Sequence, residues 1–317
     1  MKGYLWPPDT GPRTFHCADS RNSAIAEQLK LAKPTSRTAF TANEVPDTQA
    51  YKKVCVELYG RTDWVEQSRN CWPRQRLSAT WLLNEVLCYV YDLERPPITR
   101  WLGEGEVARY HALTPDGRLV RHYGLGRERV EELVRVLAAD PDSKRAVLSF
   151  WDRDYVTPAA ETPCALSSQF LLRDGYLMSI NTYRSHDFFA GVRTDAVRCA
   201  VAQQMLGVLL GADGWHAPIA FAEGSIHYYP AKNTPASVFK VAEWREPEAG
   251  SHAPDRTIQA FIKCGPKALD PWTVMDTVRR VYEGELDMLE ALGVMDPFFY
   301  RLCAEFVDEQ RAREAKR

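Results

Sequence analysis

Four short patterns in the middle of the chain contain residue types that can do chemistry. They are Asp142-Ser143-Lys144-Arg145, Thr162-Pro163-Cys164, Tyr183-Arg184-Ser185-His186-Asp187 followed by Gly191 and Asp195, and Ser225-Ile226-His227-Tyr228-Tyr229. A Cys is a strong nucleophile as its thiolate, and it can leave again by elimination. A nearby cation favours the thiolate, and Arg184 can supply it. Cys164 is therefore the candidate nucleophile, against the alternative of a buried structural thiol.

Hydrophobic periodicity and turn signals predict the elements that position these patterns. Strands and helices are mixed without a regular β-α-β alternation, so the fold class expected is α+β. Arg173-Asp174-Gly175 predicts a hairpin between two of the strands. The predicted helices are Ser23–Ala32, Ala79–Tyr91, Gly126–Ala139, Asp195–Leu210, Val274–Leu292 and Phe298–Ala315. The predicted strands are Val54–Tyr59, Arg145–Trp151, Leu166–Leu172, Tyr176–Tyr183 and Ser225–Tyr229.

Composition is that of an ordinary globular protein, with 45% hydrophobic and 26% charged residues among 317. The net charge of −2 gives no basic field for nucleic acid. No stretch approaches the length of a membrane span, and the N-terminus lacks the apolar region of a secretory signal, so a cytoplasmic protein is expected. The eight cysteines form no C-x-x-C pair, and no metal site is predicted.

The four patterns, taken together and in order, resemble thymidylate synthase and the related pyrimidine nucleotide hydroxymethylases. DPDSKRAVLSFW resembles the family's phosphate-binding strand, PCALSSQFLL its nucleophile segment, YRSHDFFAGVRTD its Q-R-S-x-D run and GSIHYY its D-x-H-x-Y. The resemblance is best from about 85 to 229. It implies one thymidylate-synthase-type domain over 1–317, with a mixed sheet, packed helices and a divergent helical portion over 234–317.

The resemblance implies a role for each residue that matches a motif. Cys164 would add to C6 of a pyrimidine nucleoside monophosphate, which makes C5 nucleophilic. The nucleotide phosphate would be bound by Arg184 and Ser185, and by Lys144 and Arg145 reaching across a homodimer interface. His227 and Tyr229 alternate on a strand and would bind the sugar, and Asp187 would lie beside the pyrimidine O2. An N-terminal phosphate ligand is also expected, and Arg37 competes with Arg61 for this role.

Asp195 and Glu85 are the remaining catalytic candidates. Thymidylate synthases have Asn where this chain has Asp195, and a carboxyl suits cytosine because it can accept from the 4-amino group. The bland interpretation is that Asp195 is the N-cap of the following helix. Glu85 lies in an almost wholly apolar helix, where a buried carboxylate of raised pKa would suit proton transfer. The alternative is a helix whose polar face includes Glu85.

The resemblance implies a cytidylate 5-hydroxymethyltransferase that uses 5,10-methylenetetrahydrofolate and acts on CMP or dCMP. In this mechanism elimination leaves an exocyclic methylene at C5, which water traps as hydroxymethyl. Lys144 stands where the family usually has Arg, so ribose or deoxyribose preference stays open. Two alternatives remain: thymidylate-synthase-type methylation or hydroxymethylation of dUMP, and a non-catalytic protein that binds pyrimidine nucleotides.

Overall fold

The computed structural model describes residues 13–32, 56–71, 78–103, 107, 116–119, 124–151, 162–189, 191–228 and 270–316. In these ranges seven strands form one mixed sheet, in the order β1-β2-β7-β5-β4-β3, with β6 pairing with β7. The strands are β1 (Arg13–Phe15), β2 (Val56–Val65), β3 (Val147–Ser149), β4 (Ala165–Arg173), β5 (Tyr176–Tyr183), β6 (His186–Asp187) and β7 (Ile219–Tyr228).

Eight helices and a short 3₁₀ turn (Ser68–Cys71) complete the described part of the chain. The helices are α1 (Ala18–Leu31), α2 (Ala79–Tyr91), α3 (Thr99–Leu102), α4 (Arg127–Ala139), α5 (Val192–Leu210), α6 (Pro271–Tyr282), α7 (Met288–Met295) and α8 (Pro297–Glu314). None of them is both long enough and apolar enough to span a membrane.

Several predicted elements have the bounds expected from the sequence. Helix α2 and strand β5 match their predicted ranges, and α4 differs by one residue. The hairpin between β4 and β5 is confirmed, because Asp174 and Gly175 both have positive φ, as a two-residue type I′ turn requires. The apolar periodicity of these segments was sufficient to place them.

Two helices begin earlier than the sequence predicts, and one is divided. Helix α1 begins at Ala18 rather than Ser23, and α5 begins at Val192 rather than Asp195. Asp195 therefore lies within the first turn and not at the N-cap, so the N-cap interpretation is wrong. The predicted helix over 274–292 is two helices, α6 and α7, separated by a turn in which Gly284 has a φ of 106°.

The C-terminal helices share the hydrophobic core of the sheet domain. Trp272 and Tyr282 of α6 and Phe306 of α8 are buried in the same cluster as Leu83 of α2 and Phe170 of β4. Tyr282 stacks on Phe306 at 4.7 Å between ring centroids, and its hydroxyl donates to the Thr80 carbonyl. These helices are therefore part of the structure that supports α2.

A carboxylate from α8 caps the start of α2. Ser78, the N-cap residue, makes no capping bond of its own. Glu309 accepts hydrogen bonds from the backbone N–H groups of Ala79 and Thr80, at 2.9 and 3.1 Å, and from the hydroxyls of Ser78 and Thr80. Burial opposes the charge of Glu309, but these donors outweigh it and hold its pKa below the usual range.

Candidate active site

Cys164 immediately precedes β4, and Arg184 holds the backbone that carries it. The Arg184 N–H donates to the Cys164 carbonyl at 2.9 Å. The Arg184 side chain donates to the carbonyls of Pro163 and Thr162, at 2.8 and 3.0 Å. Its guanidinium lies 5.7 Å from the centre of the Trp151 ring. The structure therefore places a cation beside the loop that carries the half-buried Cys164.

Ser185 and His227 are also brought together at this edge of the sheet. The Ser185 hydroxyl lies 3.4 Å from Nδ1 of His227, and His227 pairs with Asp187 across β6 and β7. Asp187 uses Oδ1 to accept from the N–H of Phe189 at 2.8 Å, so part of its carboxylate holds the turn after β6. The two polar side chains Ser185 and His227 thus lie next to the segment that contains Arg184.

Asp195 belongs to a buried cluster of charges that the sequence did not predict. Its Oδ2 atom lies 2.9 Å from Nε2 of His186 and 3.1 Å from Nη2 of Arg198. The other ring nitrogen of His186, Nδ1, lies 2.9 Å from Oε1 of Glu223 on β7. Tyr183 of β5 stacks on the His186 ring, with centroids 4.1 Å apart.

The environment of His186 favours the imidazolium form. Burial disfavours the imidazolium, but hydrogen bonds and charge from Asp195 and Glu223 outweigh burial and raise the pKa of His186. Gly191 makes room for the ring, because a Cβ at this position would lie 2.8 Å from Cδ2 of His186. The glycine and the histidine therefore form a matched pair.

The buried cluster of charges extends from β7 to α1. Arg21, which is fully buried, donates to Glu223 and to Asp63 of β2. Burial raises the pKa of a carboxyl, but Arg21 and His186 lower that of Glu223 to about 2. Arg61 donates to Asp63 and to the side chain of Gln28. Because these internal contacts occupy Arg61, the structure does not favour it as a phosphate ligand.

Glu85 is only half-buried, so the expectation of a carboxylate enclosed in an apolar helix is wrong. It lies on the least buried stripe of α2, together with Trp81 and Cys88, while its neighbour Asn84 is fully buried. The negative charge of Glu85 reinforces the effect of burial in raising the pKa of Cys88. The alternative interpretation, a polar face that includes Glu85, describes the helix better.

Lys144 and Arg145 lie far from Cys164 within one chain. Both are exposed in the turn before β3. The pairing of Val147 with Gln169 places them beside the far end of β4, roughly 20 Å along the strand from Cys164. That Lys144 and Arg145 contribute to the active site of a second subunit thus stays a prediction, and their positions in a single chain are compatible with it. Arg37 and Tyr229 lie outside the described residues, as does any contact they make.

Sequence reasoning missed His186, Glu223, Arg21 and Arg198. His186 lies in one of the four sequence patterns, but its hydrogen-bonding partners, Asp195 on α5 and Glu223 on β7, lie 9 and 37 residues away. The only local signal was Asp195 and Arg198 at i and i+3 on one helix, a spacing that brings side chains together. Among the described residues, no group of His, Cys, Asp and Glu is arranged to hold a metal ion.

Comparison with known proteins agrees with this geometry. Residues 104–237 match the family model named thymidylate synthase. This part of the chain is therefore similar to thymidylate synthases. All the candidate residues from Lys144 to Tyr229 fall within it. Its fold is similar to that of the thermostable thymidylate synthase A from Bacillus subtilis, with a TM-score of 0.51 over 73% of this chain and 86% of that one, at 15% identity. The predicted thymidylate-synthase-type α+β fold is confirmed.

Two sequence relatives match shorter segments. A thymidylate synthase homologue from Methanothermobacter thermautotrophicus is 30% identical over 106 residues, which is 33% of this chain and 47% of that protein. The thymidylate synthase of Coxiella burnetii is 37% identical over 84 residues, or 26% of this chain and 28% of the enzyme. The match thus spans less than half the length of these relatives.

Proposed function

We propose that this protein catalyses the folate-dependent 5-hydroxymethylation of a cytidine nucleotide, CMP or dCMP. The hydrogen bonding of the Asp195 carboxyl is the observation that supports cytosine as the base. Its Oδ2 atom is bound by His186 and Arg198, and its Oδ1 atom makes no hydrogen bond with any described residue. A carboxylate oxygen accepts hydrogen bonds, and cytosine presents an amino donor at C4 where uracil presents an acceptor.

The reaction begins with Cys164. Its thiolate adds to C6, and the electrons of the C5–C6 double bond move toward C4 and N3, so that C5 becomes nucleophilic. Arg184 favours the thiolate by its charge, and it holds the loop through the carbonyls of Thr162 and Pro163. The Nη1 atom of Arg184 makes no hydrogen bond within the described part of the chain, so it can donate to a phosphate.

The other nucleotide contacts come from the same edge of the sheet. Ser185 donates to the phosphate, and His227 with Tyr229 binds the sugar. Asp187 lies beside the pyrimidine O2. Arg37, together with Lys144 and Arg145 of a second copy of the chain, completes the phosphate site. The strand register keeps Lys144 and Arg145 away from Cys164 of their own chain. This arrangement therefore predicts a homodimer.

Methylenetetrahydrofolate supplies the one-carbon unit when it is bound. The ring of Trp151 is partly exposed and lies 5.7 Å from the guanidinium of Arg184, and it can stack on a planar ring bound near the pyrimidine. Glu85, on the less buried stripe of α2, is the candidate for moving protons near the ring. A site that keeps water accessible favours the hydroxymethyl product over the methyl product.

The test is a product assay with the purified full-length chain. CMP, dCMP, UMP and dUMP are each incubated with methylenetetrahydrofolate, and the products are weighed by mass spectrometry. We expect a cytidylate that has gained CH₂O. The Cys164→Ala variant should lose all turnover and all tritium release from C5, while Cys303→Ala, which removes a buried thiol of α8, should retain both. Turnover by Cys164→Ala would refute the mechanism.

The second candidate is methylation or hydroxymethylation of dUMP. The names of the two sequence relatives support it, because both are given as thymidylate synthases or their homologues. It would be favoured by C5 tritium release from dUMP and none from a cytidylate. Tight nucleotide binding without any exchange at C5 would instead favour the non-catalytic alternative.

A further inference from the structure

The two ring nitrogens of His186 both face carboxylates. Nε2 lies 2.9 Å from Oδ2 of Asp195, and Nδ1 lies 2.9 Å from Oε1 of Glu223. A neutral imidazole donates from one nitrogen only, and its other nitrogen would then place a lone pair against a carboxylate oxygen. The geometry is satisfied when the ring carries two protons, or when one of the carboxyls carries the second. His186 and its two partners therefore hold one exchangeable proton in a buried site.

This proton is next to the atom expected to contact the pyrimidine. Asp195 receives the Nε2–H of His186 on Oδ2, which leaves Oδ1 for the base. Arg198, which also binds Oδ2, contacts the Tyr183 hydroxyl at 3.4 Å. Tyr183 pairs with Ala165, the residue after Cys164. Asp195 is thus two side-chain contacts away from the strand pair that carries the nucleophile.

Cytosine requires a proton at N3 that uracil does not. When a thiolate adds to C6 of cytosine, the electrons displaced along the ring collect at N3, which has no hydrogen. N3 of uracil already carries one, and the corresponding charge falls on O4. A cytidylate enzyme therefore needs a general acid at N3. The imidazole of His186, whose Nε2 atom faces Asp195, is the neighbouring group that can hold such a proton.

We infer that His186 supplies, through Asp195, the proton that N3 of cytosine takes up when Cys164 adds to C6. The S–C6 bond forms, the C5–C6 π pair becomes the C4–C5 π pair, and the C4–N3 π pair becomes the N3 lone pair. That lone pair takes up one proton, which leaves Nε2 of His186, is carried by the Asp195 carboxyl and is given to N3, so that Asp195 ends in the protonation state in which it began. The imidazole is left neutral, and elimination of the thiolate returns the proton by the reverse path. His186 is thus a positioning residue that acts through Asp195.

The surroundings of His186 determine the pH range in which this proton is present. Asp195 and Arg198 face the ring from α5, Glu223 faces it from β7, and the Tyr183 ring covers it from β5. Behind Glu223 stands the charge of Arg21 from α1. Since the two carboxylates raise the pKa of His186, they extend to higher pH the range in which this proton is present.

The test uses His186→Gln, whose amide can still donate to Asp195 but holds no transferable proton. The inference rests on the proposed function. The assay measures tritium release from C5 of CMP, dCMP and dUMP over a range of pH. Exchange on cytidylates should fall by about 100-fold or more, the usual contribution of a general acid, with exchange or binding of dUMP nearly unchanged. Tyr183→Phe is the matched control, because it perturbs the same cluster and leaves the proton in place.

A second variant covers the case in which His186→Gln does not fold. Glu223→Gln removes one of the two charges that raise the pKa of His186, so the alkaline limb of cytidylate exchange should move to lower pH. The relay would be overturned if His186→Gln lost exchange equally on cytidylates and on dUMP, or if the alkaline limb of cytidylate exchange did not move in Glu223→Gln. Either result would leave the proposed function intact. No exchange by the wild-type protein on any pyrimidine nucleotide would instead refute the proposed function itself.

Discussion

Removing the carboxylate of Glu309 should destabilise the protein through a helix that begins 230 residues earlier in the chain. Glu309 accepts four hydrogen bonds at the start of α2, two from backbone N–H groups and two from hydroxyls. Loss of an N-cap costs about 0.5–2 kcal/mol, and loss of a charge at a helix N-terminus costs about 0.3–1 kcal/mol. The buried part of the remaining contacts adds roughly 1 kcal/mol. We therefore expect Glu309→Ala to cost about 2–4 kcal/mol.

Urea unfolding followed by circular dichroism at pH 7 would measure this cost. Glu309→Gln keeps an acceptor oxygen but loses the charge, so it should cost about half as much. Glu305→Ala is the matched control, because Glu305 lies one turn earlier on α8 with an exposed side chain. A Glu309→Ala protein as stable as Glu305→Ala, to within about 0.5 kcal/mol, would refute the cap as a source of stability.

The same prediction has a pH signature. The pKa of Glu309 is lower in the folded protein than in the unfolded chain, so its contribution is present above the unfolded value of about 4.3. The contribution is lost as pH falls through the lowered folded value. The gap in stability between the wild-type protein and Glu309→Ala should therefore be constant near neutrality and close below about pH 4. A gap that stays open in acid would mean that packing, and not charge, is what the substitution removes.

Three further predictions concern the candidate active site. Gly191→Ala places a Cβ 2.8 Å from the imidazole ring beside it, so cytidylate exchange should fall without loss of the folded circular dichroism spectrum. A mixture of the inactive variants Arg145→Ala and Cys164→Ala should regain activity after co-refolding if the phosphate contact is made in trans, and should stay inactive if it is not. Glu223→Ala removes one of the two carboxylates that bind the buried Arg21, leaving only Asp63, and should cost about 3–5 kcal/mol in urea unfolding; a cost under about 1 kcal/mol would contradict the geometry.

Apolar periodicity was a good guide to the fold where the buried face of an element is apolar. Helix α4 shows this, since its predicted bounds differ from the observed ones by one residue and its buried residues are Val130, Leu133 and Leu137. Helix α1 shows the opposite, because its first turns bury Asp19, Arg21 and Asn22. Buried polar residues have no signature in a hydrophobic pattern, since what makes them tolerable is a partner elsewhere in the chain. The start of α1 was missed for this reason.

The candidate site divides in the same way. Arg184 and Cys164 could be paired from the sequence because their motifs follow one another on adjacent strands. The hydrogen bonding of Asp195 could not be predicted, because it depends on His186 and, through His186, on Glu223. Residue type alone allowed Asp195 to be an N-cap, a neutral acid or a carboxylate. The start of α5 at Val192 excludes the first, and the contacts of Asp195 with His186 and Arg198 could not be predicted from residue type.

The cap on α2 also has a consequence for synthesis of the protein. A ribosome makes α2 long before it makes Glu309, and the two are separated by about 230 residues. Until α8 has been made, the helix that carries Glu85 lacks its N-terminal acceptor, and Tyr282 is not yet present to bind the Thr80 carbonyl. Contacts of such long sequence separation form late and slow folding. We expect a nascent chain arrested before residue 270 to be sensitive to protease around α2, and the completed chain to be resistant there.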